Sequence, residues 1–371
     1  MTRGARRPIA TLRARCPARN ATVRAARRTT VRAGRRTTVW AAVCAAALTL
    51  SACATALSNP SPPATPAPGQ RMTAYALPAH TLTGYWQDFT NGARPLRLAD
   101  VPSAYNLVAV GFGTATGTPG QVAFNVGHDV SSGVRGYTNA EFINDINKLH
   151  ARGQAVILSA GGADGTITVN DAAAAASFAG SVYSLMRTYG FDGVDVDFEN
   201  GLNPAYMASA LQQLAARAPG VIITLAPETP GVQSVSAPYF QLAVKIKSIL
   251  TLVNTQYFNS GPVKGCNGKR YRQGTEDFLT AQACVLLRGG LSPAQVSLSL
   301  PASRAAGSGY VDPSVVNNAL DCLAGGTNCG TFKPPAAYPA IRGAADWSVN
   351  WDAPNGYDFA RTVAPHLGTL P

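Results

Sequence analysis

The sequence predicts an α/β fold, a (β/α)₈ TIM barrel, on three observations. Eight short apolar runs rich in Val, Ile and Leu recur over residues 81–371. Alanine- and leucine-rich segments of helical character lie between several of them. Polar and acidic residues gather where the runs end, and in such a barrel the chemistry sits at the C-terminal ends of the strands.

The runs are 82–87, 107–111, 155–159, 193–198, 221–226, 252–258, 296–300 and 344–349, and the clearest helical segments are 139–152, 172–189, 204–218 and 275–288. Strands that alternate with helices pair in parallel, because a parallel crossover needs a helix-length connection. Eight such units in roughly 290 residues suit a barrel. A doubly wound open sheet is the alternative. It usually carries a glycine fingerprint after its first strand, and no GxGxxG occurs there.

The formal charge of +12 invites a nucleic-acid reading, which its location removes. Residues 1–38 hold twelve arginines and no Asp or Glu, leaving nineteen basic against nineteen acidic residues in the remainder. A neutral remainder lacks the electrostatic footprint of a phosphate-binding domain, so no nucleic-acid partner is expected.

An apolar run at 39–50 follows the arginines, the length of a signal-peptide core and too short to span a bilayer. It ends in Leu50-Ser51-Ala52-Cys53, which resembles the lipobox of bacterial lipoproteins. That resemblance implies cleavage after residue 52, lipidation of Cys53 and attachment to the outer face of the cell membrane; an ordinary signal peptide and secretion is the alternative. The Pro-, Ser- and Ala-rich stretch that follows is expected to be an extended tether. The division is thus a signal peptide over 1–52, a lipidated linker over 53–80 and a catalytic domain over 81–371. Cys266, Cys284, Cys322 and Cys329 remain for the folded domain. Three pairings are possible, and Cys266–Cys284 with Cys322–Cys329 is expected because each closes a local loop. No His/Cys spacing suggests a metal site, and no cofactor is expected.

The strongest chemical signal is Asp192-Gly193-Val194-Asp195-Val196-Asp197-Phe198-Glu199. Strand side chains alternate, so Asp195, Asp197 and Glu199 share one face and Val194, Val196 and Phe198 the other. With the apolar face on the helices, three carboxyls point into the barrel. Acids crowded in a low dielectric repel, so at least one is expected to keep its proton near neutral pH. A protonated carboxyl is what leaving-group departure in glycoside hydrolysis needs.

The run Asp192-x-x-Asp195-x-Asp197-x-Glu199 resembles the DxxDxDxE signature of glycoside hydrolase family 18, the chitinases and related endoglycosidases. Ser159-Ala160-Gly161-Gly162 is similar to that family's SxGG motif, and Trp347-Ser348-Val349-Asn350-Trp351-Asp352 to its eighth-strand segment. The resemblance runs over about residues 81–368. It implies endo-hydrolysis of β-1,4-linked N-acetylglucosamine polymers, with chitin or chitooligosaccharides as partner and a monomeric chain. Glu199 would protonate the glycosidic oxygen while the substrate's own acetamido oxygen attacks, giving an oxazolinium ion and retention. Asp197 would orient the acetamido group, and Asp195 would share a proton with Asp197, with Ser159 as its hydrogen-bond partner. Trp347 would floor the −1 sugar site, its alternative being a place in the barrel core. Tyr85 and Trp86 are expected in the cleft.

One departure stands out. Relatives end the sixth strand in Gln-x-Tyr-Asn, whose tyrosine hydroxyl holds the acetamido carbonyl. This chain reads Gln256-Tyr257-Phe258-Asn259, which puts Phe258 in the tyrosine's place and Tyr257 on the opposite face. A slow enzyme is expected. The short segment between the seventh and eighth strands leaves no room for the α+β lid of processive relatives, so an open cleft and internal cuts are expected. The rivals are an endo-β-N-acetylglucosaminidase acting on N-glycans and a lectin-like barrel that binds without cutting.

Overall fold

The structure, a computed structural model, describes residues 75–371. The signal-peptide reading, Cys53 and most of the tether lie outside the described residues.

Eight parallel strands form the barrel: β1 Thr81–Gln87, β2 Leu107–Ala115, β3 Ala155–Gly162, β4 Gly193–Phe198, β5 Ile222–Leu225, β6 Leu252–Gln256, β7 Val296–Pro301 and β8 Gly343–Trp347. Neighbours in sequence are neighbours in space. β1 pairs with both β2, Tyr85 opposite Ala109, and β8, Gly84 opposite Asp346. That closure settles the barrel against the open sheet.

Helices α1 Asn139–Ala151, α2 Ala172–Tyr189, α3 Pro204–Arg217, α4 Pro238–Lys245, α5 Glu276–Arg288, α6 Pro313–Gly325 and α7 Asp358–Leu367 follow β2 to β8 in turn. Their starts are written locally. Thr138 and Glu141 form a capping box at α1, Asp171 accepts from Ala174 N at α2, and Asn203 precedes Pro204 at α3.

Three strands stop short of the sequence expectation, β5 by one residue, at Leu225 rather than 226. β6 ends at Gln256, not at 258. β8 ends at Trp347, because Ser348 Oγ donates to Gln87 Oε1 (2.7 Å) and Asn350 Oδ1 accepts from Gln87 N (2.8 Å), which turns the chain into the short helix Val349–Asp352. Residues 75–80, read as the end of the tether, are held on the domain. Tyr75 Oη donates to the His150 carbonyl at 3.0 Å, and Tyr75 and Leu77 pack against apolar residues of the barrel interior.

The outer layer between strands and helices is apolar, with Trp86, Phe142, Phe178, Val194, Val196 and Phe278 among its buried members. Inside the barrel, Leu107, Ala155, Ile157, Ile222 and Leu252 fill one part. Thr83, Asp195, Thr224, Asn254 and Ser299 are buried polar groups of the strands. Apolar filling at the strand starts and polar groups toward their ends place the chemistry at the C-terminal mouth.

Both expected disulfides form, Cys266–Cys284 and Cys322–Cys329. The first ties the loop after β6 to α5. The second closes the turn after α6, in the 302–342 segment that joins β7 to β8.

Candidate active site

The mouth holds a cleft of about 820 Å³. Five carboxyl groups line it, Asp88, Asp164, Asp197, Glu199 and Glu228, and among the described residues no lysine, arginine or histidine does. The surface suits a neutral or cationic ligand rather than an anion.

Register builds the acid cluster. Ser159 on β3 and Thr224 on β5 both lie opposite Asp195 on β4. All three side chains turn inward, so they meet. Ser159 Oγ donates to Asp195 Oδ2 at 2.7 Å, Tyr85 Oη donates to the same oxygen at 3.2 Å, and Thr224 Oγ1 donates to Oδ1. Burial raises the Asp195 pKa, and these three donors oppose the rise.

Asp197 has less help. Burial, then repulsion from Glu199, Asp195 and Glu228, holds its pKa well above the ordinary carboxyl value, with only the Gln256 amide pulling down. Gln256 Nε2 lies 3.0 Å from Asp197 Oδ1, 3.2 Å from Glu199 Oε1 and 3.0 Å from the Ala226 carbonyl. One amide thus spans the two outer acids. Glu199 itself, half-buried just past the end of β4, is raised chiefly by burial and further by Glu228 and Asp164. Burial thus raises the pKa of all three carboxyls, most strongly where Asp197 lacks hydroxyl donors, and the best-solvated member, Glu199, faces the cleft.

The SxGG glycines have a steric reason. A Cβ on Gly161 would lie 2.2 Å from the Asp197 carbonyl, and one on Gly162 would lie 2.6 Å from the Phe112 ring; both backbones have positive φ, +120° and +80°. Glycine here lets β3 lie close against the acidic strand.

Trp347 enters the cleft rather than the core. Its ring stacks with Phe112 (centroids 5.8 Å, 20°), which stacks in turn with Phe89 (5.8 Å, 19°), while Tyr85 is tilted against it at 6.0 Å. Phe258 also lines the cleft. Tyr257 turns away, fully buried edge-on to Phe278. The expected opposite facing of residues 257 and 258 holds. Asn259 reaches the cleft in a left-handed conformation (φ 53°), and its Oδ1 accepts from Ser308 N and Oγ, so it also fastens a neighbouring loop.

Trp86 corrects an expectation. It is fully buried on the helix side, packed on Phe142 with Nε1 donating to the Leu96 carbonyl. Strand alternation allows only one of Tyr85 and Trp86 to face the cleft. Asp192, the first acid of the motif, sits before β4 and binds Val156 N (2.7 Å) and His150 Nε2 (2.9 Å), away from the cluster.

Sequence reasoning missed Thr224, Asp88, Glu228, Phe89 and Phe112. Thr224 had a signal, an inward position in register with Asp195. Asp88, with its pKa raised to about 7 by burial against the Gly127 N–H that lowers it, and Phe89 follow β1, where facing is not periodic, and Phe112 sits inside β2 at a register shift between Gly111 and Gly113. Among the described residues no group of three or more His, Cys, Asp or Glu is placed to hold a metal ion.

A closed (β/α)₈ barrel with paired carboxyls under an aromatic wall defines a glycoside hydrolase. Residues 81–360 match the family described as Glycosyl hydrolases family 18, and the chain belongs to that family. It is 33% identical to Chitinase Chi52 of Paenibacillus xylanexedens, over 88% of this chain and 67% of that one. It is 32% identical to Exochitinase 1 of Streptomyces olivaceoviridis, over 82% of this chain and 59% of that longer protein. Among solved structures it is similar to one from Streptomyces coelicolor, provisionally named Chitinase A, at 55% identity and TM-score 0.77, covering 79% of this chain and 99% of the other. A family GH18 chitinase from Chromobacterium violaceum matches at 32% identity and TM-score 0.72, covering 81% and 87%.

Proposed function

We propose that this chain hydrolyses chitin-type β-1,4-linked N-acetylglucosamine polymers at internal bonds, with retention and with Glu199 as general acid and base. The observation that carries the reading is the Gln256 bridge. It sets Asp197, whose pKa burial and its acidic neighbours raise far above normal, beside the more open Glu199. The names of the relatives, chitinases in each case above, support the substrate class.

In this mechanism the Glu199 proton passes to the glycosidic oxygen as the bond from C1 to that oxygen breaks. The acetamido oxygen of the same sugar forms a bond to C1, and Asp197 orients its N–H. Water then attacks C1, the C1–acetamido bond breaks, and the Glu199 carboxylate takes the water's proton. Trp347 stacks on the apolar face of the −1 sugar, with Tyr85 and Asn259 at its edges. Attachment through a lipid on Cys53 would hold the domain at the outer membrane face.

Phe258 favours a second reading, a barrel that binds chitooligosaccharides and cuts them slowly, because the cleft wall lacks a hydroxyl at that position. One experiment separates the two. The domain is incubated with chitohexaose and its products followed by mass, beside Glu199→Gln. Shorter N-acetylated oligomers that vanish in the variant establish the hydrolase and its acid. Tight binding by both proteins without cleavage overturns the hydrolase reading.

A further inference from the structure

Asp346 and Trp347 end β8 and leave it on opposite faces. Trp347 enters the cleft, while Asp346 is wholly buried on the helix side. There Tyr105 Oη lies 2.6 Å from Asp346 Oδ2 and 2.9 Å from Asp352 Oδ2. A phenol has one hydrogen to donate. Two ionised carboxylates would leave one of these contacts with no hydrogen in it, oxygen lone pairs facing each other among three fully buried side chains. A second hydrogen is needed, and a carboxyl must supply it.

The surroundings decide which one. Asp352 Oδ1 accepts from Phe359 N at 2.9 Å and Oδ2 from Ala360 N at 3.0 Å, at the first turn of α7, where a negative charge is favoured. Asp346 Oδ1 has no well-aligned partner, and the backbone N–H groups of Tyr85 and of Asp346 itself lower its pKa less than burial and the Asp352 charge raise it.

We propose that Asp346 is held as a neutral acid, and that the chain Asp346–Tyr105–Asp352 is a positioning device that fixes the end of β8 and with it the seat of Trp347. Asp346 Oδ2–H donates to Tyr105 Oη, and Tyr105 donates to Asp352 Oδ2. The arrangement joins β8, the segment before β2 and the start of α7, next to the Ser348–Gln87 contact that turns the chain beyond Trp347. Electrostatics agree. Burial first, then the Asp352 charge, holds Asp346 well above the carboxyl range, and Asp358 adds a further negative neighbour to Asp352. Among the described residues no lysine or arginine forms an ion pair with either. Around Tyr357, beside Asp352, Arg94 and Asp100 are the other charges.

The protonation state is independent of the hydrolase reading; the effect on Trp347 rests on it. Thermal unfolding of wild type, Asp346→Asn and Asp352→Asn across neutral to alkaline pH tests the first. A raised folded pKa means stability is full below the unfolded value and is lost as pH rises toward the folded one. An amide mimics the neutral acid, so Asp346→Asn folds and escapes that loss, worth up to tenfold in the folded-to-unfolded ratio per pH unit. Asp352→Asn is destabilised at every pH. A wild-type pH slope in Asp346→Asn, or failure of that variant to fold while Asp352→Asn folds, overturns the assignment. For the second, the alkaline rise in KM for chitohexaose moves to higher pH in Asp346→Asn while kcat is little changed. An unmoved KM profile overturns the positioning role, whereas inactivity of the wild type would instead count against the hydrolase reading and leave the unfolding result standing.

Discussion

Ser159 Oγ donates to Asp195 Oδ2 across 2.7 Å, from a strand position in register with it. With Tyr85 and Thr224 it surrounds the innermost acid of the cluster with hydroxyl donors, which favour the ionised form. Removing one donor raises the Asp195 pKa further. Ser159→Ala is expected to move the acid limb of the kcat/KM profile to higher pH. The maximum should fall by about tenfold or more, the scale of a lost hydrogen bond to a charge, about 1.5–3 kcal/mol. A pH–rate profile on a soluble oligomer checks both.

Asp197 should cost stability while serving activity. Its folded pKa stands above its unfolded value of about 3.9, so stability is full below that value and is lost as pH rises toward the folded pKa. Asp197→Asn removes that loss. The variant is expected to unfold at higher temperature than wild type at neutral and alkaline pH, by up to about 1.4 kcal/mol per pH unit across that window, and to lose activity. Scanning calorimetry at several pH values reads the first, an oligomer assay the second.

Phe258 faces the cleft and Tyr257 is locked in the outer core, so the hydroxyl of Tyr257 does not reach the substrate side. Phe258→Tyr would place a hydroxyl in the cleft. A donor aimed at developing charge is worth about 2.7–4 kcal/mol, and even half of that raises kcat roughly tenfold. Unchanged kcat in a folded variant would show that another group already holds the acetamido carbonyl.

The two disulfides close short local loops, with sequence separations of 18 and 7. Chain entropy gives about 3 kcal/mol for the first and slightly less for the second. Replacing both cysteines of the first pair by serine is expected to lower the unfolding free energy by about that amount, measured by denaturant titration, with kcat on chitohexaose retained.

Much of this was legible beforehand because it rests on periodicity. Two-residue alternation put Asp195, Asp197 and Glu199 on one face and sent Phe258 and Tyr257 to opposite sides. The same rule would have rejected Trp86 as a cleft residue, since Tyr85 beside it already faces inward. The disulfides followed from proximity along the chain. Asp88 and Phe89 were not legible because they lie just past the end of β1, and Phe112 because the register of β2 shifts between Gly111 and Gly113.

The sequence by itself determined the eight βα units, the acidic strand and the identity of the residues that can donate a proton, because strand period and residue chemistry are local. Only the tertiary structure decided that Tyr85 and Thr224 join Ser159 around Asp195, that one amide spans Asp197 and Glu199, and that Tyr105 joins Asp346 to Asp352. Those contacts join residues up to 247 positions apart. They depend on barrel closure and strand register, which set the distances between elements to within a hydrogen bond and which no local pattern encodes.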